Sequence, residues 1–329
     1  MGCWHARALA RTGGLVALVI DQDLDRARRL ARRWRGCVAH SHLDELSAHS
    51  IRVAHICTPT ASHAAVIQAA LEAGCHVLAE KPLANDEPTT RALLRLAESR
   101  RLLLCPVHQA LFQPGVRRTL AALDRLGPLH VDLVMCSAGA QGCTAADDQL
   151  IAEILPHPLS FLARVVPGVV DAGKWMISRA APGELRATIT APSGTASILV
   201  SAHGRPTVNA ARIIGERGTA HMDLFHGFAL FQSGAVSRTR KAAQPLVYAA
   251  HLGRAAAWNL VKRAIRRHTA YPGLWELVSA FYGQLGPGGV SPISVQETLQ
   301  VAAMRDAVLT AARQSPGAMG CATDSAEGM

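Results

Sequence analysis

Lysine, aromatic residues and long apolar runs are all scarce in this sequence of 329 residues. Only four of the 34 basic residues are lysines, and aromatic residues make up 4% of the chain. Because few aromatic side chains are present for bases to stack on, and the arginines are scattered, the net charge of +10 does not indicate a nucleic-acid-binding protein. No apolar run reaches the ~18–20 residues of a membrane-spanning helix, so no membrane span is expected.

The eight cysteines are spread along the chain without a CxxC pair. The two nearest, Cys136 and Cys143, have a spacing that suits neither a zinc site nor a redox motif. We therefore expect no metal site, and reduced thiols of the kind usual in the cytoplasm. The N-terminal residues carry several arginines among the apolar positions and lack the pattern of a signal peptide, which also favours a cytoplasmic location.

The first third of the chain, residues 1–106, alternates short apolar runs with amphipathic helical stretches. Apolar runs such as Leu15–Ile20 and Val53–Cys57 alternate with helical patterns such as Leu24–Trp34 and Ser62–Ala73. Strands that alternate with helices indicate a parallel sheet covered on both faces. The sequence therefore predicts an α/β fold whose N-terminal domain is a doubly wound parallel sheet of the Rossmann type.

From residue 107 onward the pattern changes. Five strand-like runs between Glu184 and Gln232 follow one another without intervening helices, as in an open, mainly antiparallel sheet. We therefore predict a second, α+β domain over residues 107–313 and a disordered tail over residues 314–329. An apolar sheet face left uncovered is a patch that monomers rarely expose, so we expect a homo-oligomer.

The chain begins with Gly2-Cys3-Trp4-His5, which is typical of a glycine-rich turn leading into a helix. In dinucleotide-binding folds the third glycine of GxGxxG lets this helix pack closely on the sheet. If Gly2 is that glycine, the first strand and the first two glycines are missing, so either the protein starts further upstream or its cofactor binding is weakened. Gly2, Trp4 and His5 are then candidate cofactor-binding residues. The alternative is a chance Met-Gly start without such a role.

Asp21 ends an apolar run about twenty residues after the turn, where dinucleotide folds place an acidic residue. A carboxylate there accepts hydrogen bonds from the adenosine ribose and repels the 2′-phosphate of NADP. Asp21 is therefore a candidate cofactor-binding residue that favours NAD. The alternative is that Asp21 caps the helix that follows, a role that Asp23 could also fill.

The most informative segment is residues 53–84, VAHICTPTASHAAVIQAALEAGCHVLAEKPLA. Thr58 and Pro59 follow one buried strand, and His63 lies in the first turn of the next helix. Glu80-Lys81-Pro82 follows the second strand. Ligands of open α/β sheets bind outside the carboxyl ends of the strands, so these residues are candidates for cofactor binding.

This segment resembles the Gfo/Idh/MocA family of oxidoreductases, whose members carry TPxxxH followed by AGxHVLxEKP. The resemblance implies a Rossmann domain followed by an open antiparallel sheet with flanking helices, and NAD as the cofactor. It also implies that Lys81 is catalytic and contacts the substrate hydroxyl and the nicotinamide ribose. The alternative is a lysine in a solvated loop, although lysine is rare in this sequence.

A second group of candidate catalytic residues is Glu153 and His157. Their i, i+4 spacing places both side chains on one face of a helix. The family carries Asp-x-x-x-His here, and the resemblance implies that His157 is the acid/base of the reacting alcohol and that Glu153 positions the substrate. This chain has Glu for the first Asp and Ser160 where a second Asp often follows. The alternative is an ordinary surface Glu–His pair.

Together these features predict an NAD-dependent oxidoreductase acting on CH–OH groups. It would transfer a hydride between the nicotinamide and a secondary alcohol or ketone of a sugar, polyol or related cyclic compound. Two other hypotheses remain open at this point. One is a catalytically inactive relative that acts as a sensor or scaffold, and the other is a basic, anion-binding protein without redox activity.

Overall fold

A computed structural model of the chain describes residues 1–137, 145–169, 174–234, 237–266, 270–286 and 288–314. The chain forms two compact units. The first comprises Met1–Gln113 and Ala270–Ala302, and the second comprises Pro114–Thr269 and Ala303–Met329. The predicted division at residue 107 therefore needs correction, because residues 270–302 return to the first unit, where they pack against its first helix. All of the predicted tail except Gln314 lies outside the described residues.

The first unit has the predicted alternation of parallel strands and helices. Its strands form two parallel sheets, one of β1 and β2 and one in the order β3-β4-β5. Among the residues that the structure describes, no strand joins β1 to β3. The elements are α1 (Gly2–Arg11), β1 (Leu18–Ile20), α2 (Leu24–Ala31), β2 (Val38–His40), α3 (Glu45–Ala48), β3 (Val53–Ile56), α4 (Thr60–Glu72), β4 (His76–Ala79), α5 (Glu87–Ser99) and β5 (Leu104–Pro106).

The core of the first unit lies between the three-stranded sheet and its helices. Val77 of β4, Ile67 of α4 and Leu94 of α5 belong to one buried apolar cluster. Full burial of each such side chain contributes roughly 1.5–3 kcal/mol. Leu18 and Ile20 of β1 are only partly buried against the same cluster. The packing is therefore densest around β4, the strand that leads into Glu80.

The second unit is built on one seven-stranded sheet in the order β12-β11-β10-β6-β9-β8-β7. Every pair of neighbouring strands is antiparallel except β6 and β9, which run parallel. The five predicted runs correspond to β8–β12, and only the three-residue β7 was too short to predict. The strands are β6 (Pro128–Cys136), β7 (Met176–Ser178), β8 (Glu184–Ala191), β9 (Gly194–Ser201), β10 (Val208–Gly215), β11 (Gly218–Asp223) and β12 (Phe228–Ser233).

One face of this sheet is apolar and buried, whereas the other carries charged groups. Asp132 lies between His130, at 2.7 Å, and Arg212, at 2.6 Å. Burial opposes the ionised carboxylate, but these two partners lower the pKa of Asp132 below its ordinary value. Residues of β6 and β10 therefore pair as ions on this face, and the expected homo-oligomer remains a prediction.

Along the chain, helices of the second unit precede its first strand, separate β6 from β7 and follow its last strand. The helix predicted to carry Glu153 and His157 is divided at Leu155, because Pro156 and Pro158 have no N–H to donate along the helix. None of the described helices is both long and apolar enough to cross a membrane. The remaining helices are α6 (Pro114–Leu120), α7 (Leu123–Leu126), α8 (Ala145–Ile154), α9 (Pro156–Val165), α10 (Arg238–Ile265), α11 (Leu274–Tyr282) and α12 (Val295–Gln314), of which α11 belongs to the first unit and α12 begins there.

Gly273, directly before α11, is held in a conformation that only glycine adopts easily. Its φ is +91°, and a Cβ there would lie 2.0 Å from the carbonyl oxygen of Gln109. We expect Gly273→Ala to lower the free energy of unfolding by more than ~2 kcal/mol, since strain and steric overlap add. Gly13, with φ of +83° and no atom within 4 Å of its Cβ position, is the matched control and should cost only ~1 kcal/mol as Gly13→Ala. Urea denaturation measures both, and equal losses would contradict the close contact.

Candidate active site

The residues that follow β3 and β4 meet at one edge of the parallel sheet. The register pairs Ile56 with Ala79, the last residues of the two strands. The chain continues from them into Cys57-Thr58-Pro59 and Glu80-Lys81-Pro82. The backbone N–H of Glu80 donates to the carbonyl oxygen of Ile56 at 2.9 Å. The structure thus brings together the two segments that were predicted to bind a cofactor.

His63, in the first turn of α4, connects these two segments. Its Nε2 lies 2.8 Å from the carbonyl oxygen of Thr58, and its Nδ1 lies 2.6 Å from that of Pro82. The ring is 1% exposed. Carbonyl oxygens only accept hydrogen bonds, so in each of these contacts the ring is the donor. His63 therefore fixes the positions of the two segments from inside the protein.

His5, in the first turn of α1, contacts the same site from a different helix. Its Nε2 lies 3.1 Å from Oε1 of Glu80, and its Nδ1 lies 2.9 Å from Nδ1 of His55. The two imidazole rings are nearly perpendicular, with centroids 5.2 Å apart. The side chain of His5 is 1% exposed, so its polar contacts are all made inside the protein.

The charges in this cluster are set by burial and by neighbouring groups. Burial alone would lower the pKa of His5, but interactions with Cys57 and Glu80 outweigh it and raise that pKa to about 10. Burial and the positive charge of His5 hold the pKa of His55 well below its ordinary value. Burial opposes ionisation of Glu80, yet the hydrogen bond and charge of His5 lower the pKa of this carboxyl. His5 and Glu80 therefore form a buried ion pair beside a neutral His55.

Tyr282, at the end of α11, extends the cluster. Its hydroxyl oxygen lies 3.0 Å from Nε2 of His55. Because a protonated His5 donates to Nδ1 of His55, the single proton of His55 lies on Nε2 and is donated to Tyr282. Burial raises the pKa of Tyr282, which stays neutral. The hydrogen bonds thus run in one direction, from His5 through His55 to Tyr282.

Lys81 lies between two residues that are both fixed. Glu80 before it is held through its side chain by His5, and Pro82 after it is held through its carbonyl oxygen by His63. Lys81 is half-buried, and its peptide bond to Pro82 is cis. The backbone around the candidate catalytic amine is therefore restrained on both sides.

The predicted N-terminal site residues are placed as follows. Gly2 begins α1, and the half-buried ring of Trp4 packs 5.5 Å from Tyr271 and 5.0 Å from the guanidinium of Arg7. The side chain of His5 is engaged by Glu80 and His55, so the structure gives it a positioning role. Direct contact of these three residues with a cofactor remains a prediction.

The structure distinguishes the two roles considered for Asp21. Asp23 is the N-cap of α2, and its carboxylate accepts from the N–H groups of Asp25 and Arg26 at 3.0 and 3.1 Å. Asp21 accepts from the N–H of Asp23 at 3.0 Å and directly follows the last residue of β1. Asp23 therefore caps the helix, and Asp21 occupies the strand end where a ribose-binding acid was predicted.

In the second unit, Glu153 and His157 lie on either side of the break between α8 and α9. The N–H of Leu155 donates to Ile151, and that of Leu159 donates to Leu155, so the helical path continues through the break. Both side chains are half-buried. Their i, i+4 spacing therefore still places them on one side of the helical path.

Arg305 of α12 is a residue of this site that the sequence analysis missed. Its side chain is 8% exposed, and its Nε donates to the carbonyl oxygen of Ala152 at 3.0 Å. In a regular helix that carbonyl would accept from residue 156, which is Pro156 and has no N–H. The signal in the sequence was this orphaned carbonyl, but nothing in the sequence shows which distant donor reaches it.

Among the described residues, one group of side chains has the composition of a metal site. His40, Glu45 and His49 bring their ligand atoms within 4.8 Å of one another. All three are at least one-third exposed, and the two histidines pair with the carboxylate at 3.2 and 3.5 Å. The expectation of no metal site remains a prediction.

Comparison with known proteins agrees with these features. Residues 1–108 match the family model described as "Oxidoreductase family, NAD-binding Rossmann fold". A UDP-N-acetylglucosamine 3-dehydrogenase of Acidithiobacillus ferrooxidans is 34% identical over 150 residues, which span 41% of this chain and 47% of that enzyme. The match thus covers about half the length of this relative.

Three solved structures share the fold of nearly the whole chain. The Acidithiobacillus ferrooxidans enzyme superposes with a TM-score of 0.72 at 20% identity, over 94% of both chains. A 3-ketoreductase of Actinomadura kijaniata, in complex with TDP-benzene and NADP, gives 0.70 at 19% identity over 93% and 92% of the two chains. The WlbA dehydrogenase of Bordetella pertussis, in complex with NADH and UDP-GlcNAcA, gives 0.71 at 16% identity over 94% and 92%.

The parallel strands, with their motif residues at the carboxyl ends, define a dinucleotide-binding domain of the Rossmann type followed by a mixed-sheet domain. Within this pair of domains, residues 1–108 are similar to the NAD-binding domain of the Gfo/Idh/MocA oxidoreductases.

The buried His5–Glu80 pair makes a prediction about stability and pH. Removing the carboxylate as Glu80→Gln leaves a buried imidazolium without its partner, so the free energy of unfolding should fall by ~3–5 kcal/mol near neutral pH. The raised pKa of His5 stabilises the fold fully below its ordinary value of about 6.5, and this contribution is lost as the pH rises through about 10. The difference between wild type and variant should therefore shrink toward pH 10.

Chemical denaturation at several pH values measures this difference. The matched control is His226→Asn, which breaks a 2.7 Å pair with Asp223 whose histidine side chain is 51% exposed. That change should cost no more than ~1 kcal/mol. Parallel stability profiles for Glu80→Gln and wild type between neutrality and pH 10 would show that His5 is not held as a cation.

Proposed function

We propose that the protein is a nicotinamide-dependent dehydrogenase or reductase acting on a secondary alcohol or ketone of a sugar, polyol or related cyclic compound. The observation that carries the proposal is Lys81, held between His5–Glu80 on one side and His63–Pro82 on the other. The match of residues 1–108 to the Gfo/Idh/MocA family model and the relative that acts on a nucleotide-linked sugar support it. Nucleotide-linked sugars are therefore the first substrates to assay, followed by free polyols.

The residues of the chain would handle the proton of the reaction, and the nicotinamide, when bound, supplies the hydride chemistry. Oxidation of an alcohol breaks its C–H bond, whose hydride leaves to the cofactor, and its O–H bond, whose proton needs an acceptor. We assign that proton to Lys81 and His157, because lysine and histidine both serve as general acid–base groups in enzymes. Glu153 would position the substrate, and Asp21 would accept hydrogen bonds from the adenosine ribose.

A catalytically inactive relative, acting as a sensor or scaffold, is the second candidate. The observation that favours it is the parallel sheet, which is divided between β1 and β3 over the described residues. Two experiments together separate the candidates: titration of the pure protein with NADH, followed by fluorescence, and turnover assays. An inactive relative binds the nucleotide or the sugar without turnover, whereas the enzyme binds them and also turns over.

The assignment of the proton-transfer residues predicts specific kinetic losses. Lys81→Ala and His157→Ala should each lower kcat by ~10²–10⁴, the usual contribution of a general acid–base group. NADH affinity should change much less. The matched controls are Lys174→Ala, which removes an exposed lysine, and His226→Ala, which removes an exposed histidine. Turnover close to wild type in either active-site variant would remove that residue from the mechanism.

The position of Asp21 predicts the choice of cofactor. Because its carboxylate would repel a 2′-phosphate, we expect NAD to be preferred over NADP by at least ~10-fold in kcat/KM. Asp21→Asn should reduce this preference, since the charge is removed. Asp23→Asn, two residues away, is the matched control, because asparagine also caps helices and the preference should stay unchanged. Equal use of both cofactors by the wild type would show that Asp21 does not face the ribose.

A further inference from the structure

The long helix α10 of the second unit is exposed along almost its whole length. It has 28 residues, and none whose side chain the structure describes is buried. Large apolar side chains that a water-soluble protein usually covers point into solvent along it. The most exposed are Ile265 at 77%, Leu246 at 76%, Leu260 at 69% and Trp258 at 60%.

The apolar residues of α10 form one continuous face. With 100° between successive helical residues, eleven apolar residues fall within an arc of ~160°, which also contains two charged residues, Arg240 and Arg254. Alanines fill the middle of this arc, and Trp258 lies at its edge. The face, called here the apolar face of α10, consists of Ala242, Ala243, Leu246, Val247, Ala250, Ala257, Trp258, Leu260, Val261, Ala264 and Ile265.

The helix packs on the sheet of its own unit through the opposite, polar side. Nδ2 of Asn259 donates to the carbonyl oxygen of His226 at 3.0 Å. The ring of Tyr248 packs against that of His221 with centroids 5.4 Å apart. Surface helices of globular proteins bury the apolar side and expose the polar one. In α10 this orientation is reversed, so the apolar face is directed away from the unit.

The charged residues of this segment are all of one sign. Between Arg238 and Arg266 the sequence has seven basic residues and no acidic residue. Arg266 lies on the side of the helix opposite the apolar face, whereas Lys262 lies next to the edge of that face. The ammonium of Lys262 lies 5.0 Å from the ring centre of Trp258, beside the edge of the apolar face. The segment thus combines an exposed apolar face with a purely positive field.

We propose that α10 docks on the surface of an anionic lipid bilayer, lying parallel to it with the apolar face among the headgroups and upper acyl chains. Basic amphipathic helices with tryptophan and leucine on the apolar side bind membranes in this way. Lys and Arg stems reach past the apolar layer toward lipid phosphates. The helix does not cross the bilayer, in agreement with the absence of a spanning segment among the described helices.

The charge selects this occupant over two others. A second copy of the chain docking face to face would bring two segments of seven positive charges together, and like charges oppose such a contact. A nucleic acid would neutralise the charge but would leave the apolar face in water. An anionic bilayer satisfies both the charge and the apolar area.

Co-sedimentation of the full chain with lipid vesicles tests the proposal. We expect binding to vesicles of phosphatidylglycerol mixed with phosphatidylcholine, and much weaker binding to phosphatidylcholine alone. Raising the salt concentration should weaken binding, because attraction between the basic residues and the anionic surface is screened. Equal binding to both kinds of vesicle, or none to either, would overturn the proposal.

Variants locate the contact on the helix. The double change Leu246→Gln with Leu260→Gln should weaken vesicle binding by ~100-fold, about tenfold for each leucine withdrawn from the apolar phase. The matched control is Leu15→Gln, which alters a leucine that is 87% exposed elsewhere in the chain and should bind as the wild type does. Lys262→Gln with Arg266→Gln should weaken binding to anionic vesicles only.

Circular dichroism confirms that each variant is folded, which is expected because the altered side chains are exposed. Light scattering in the absence of lipid tests the competing hypothesis, that the apolar face of α10 is an interface between two copies of the chain. If the wild type forms a dimer that the double leucine variant dissociates, and neither protein binds vesicles, the apolar face is an interface between copies and the proposal is wrong. Vesicle binding that survives the double leucine change would also refute it.

Discussion

A positive charge enclosed in the nucleotide-binding unit is the constraint on which its site depends. An unpaired charge in a protein interior is costly, and removing one member of a buried pair leaves the other uncompensated. His5 therefore needs Glu80, and Glu80 belongs to the same tripeptide as Lys81. The electrostatic requirement of the core thereby fixes the backbone beside the candidate catalytic amine. The neutral His55 accepts a hydrogen bond from His5 and donates one to the hydroxyl of Tyr282.

The local elements of the fold could be predicted because their signals are local. The run Glu184–Ala191 is β8 residue for residue, and Thr58-Pro59 and Glu80-Lys81-Pro82 were placed at strand ends because apolar runs stop there. Asp21 and Asp23 could not be told apart as helix caps until their hydrogen bonds were seen. The break in the helix at Leu155 could have been predicted from the sequence, since two prolines flank His157.

What could not be predicted depends on residues far apart in the chain. His55 and Tyr282 are separated by 227 positions, and Ala152 and Arg305 by 153. No periodicity or spacing links such pairs, because their contact follows from how helices pack. The return of residues 270–302 to the first unit was missed for the same reason. The orientation of α10 could not be predicted either, since an amphipathic pattern shows which side of a helix is apolar but not which side packs against the rest of the protein.

The discontinuity of the first unit has a consequence for the time course of synthesis. Its first 113 residues leave the ribosome before the second unit, and α11 follows only after residues 114–269 of that unit. At ~5–20 residues per second, the 227 positions between His55 and Tyr282 take ~10–45 s to translate. During that interval the nascent chain has made the residues of the buried ion pair but not the helix that carries Tyr282. Any factor that attends this protein during synthesis would meet it first in that unfinished state.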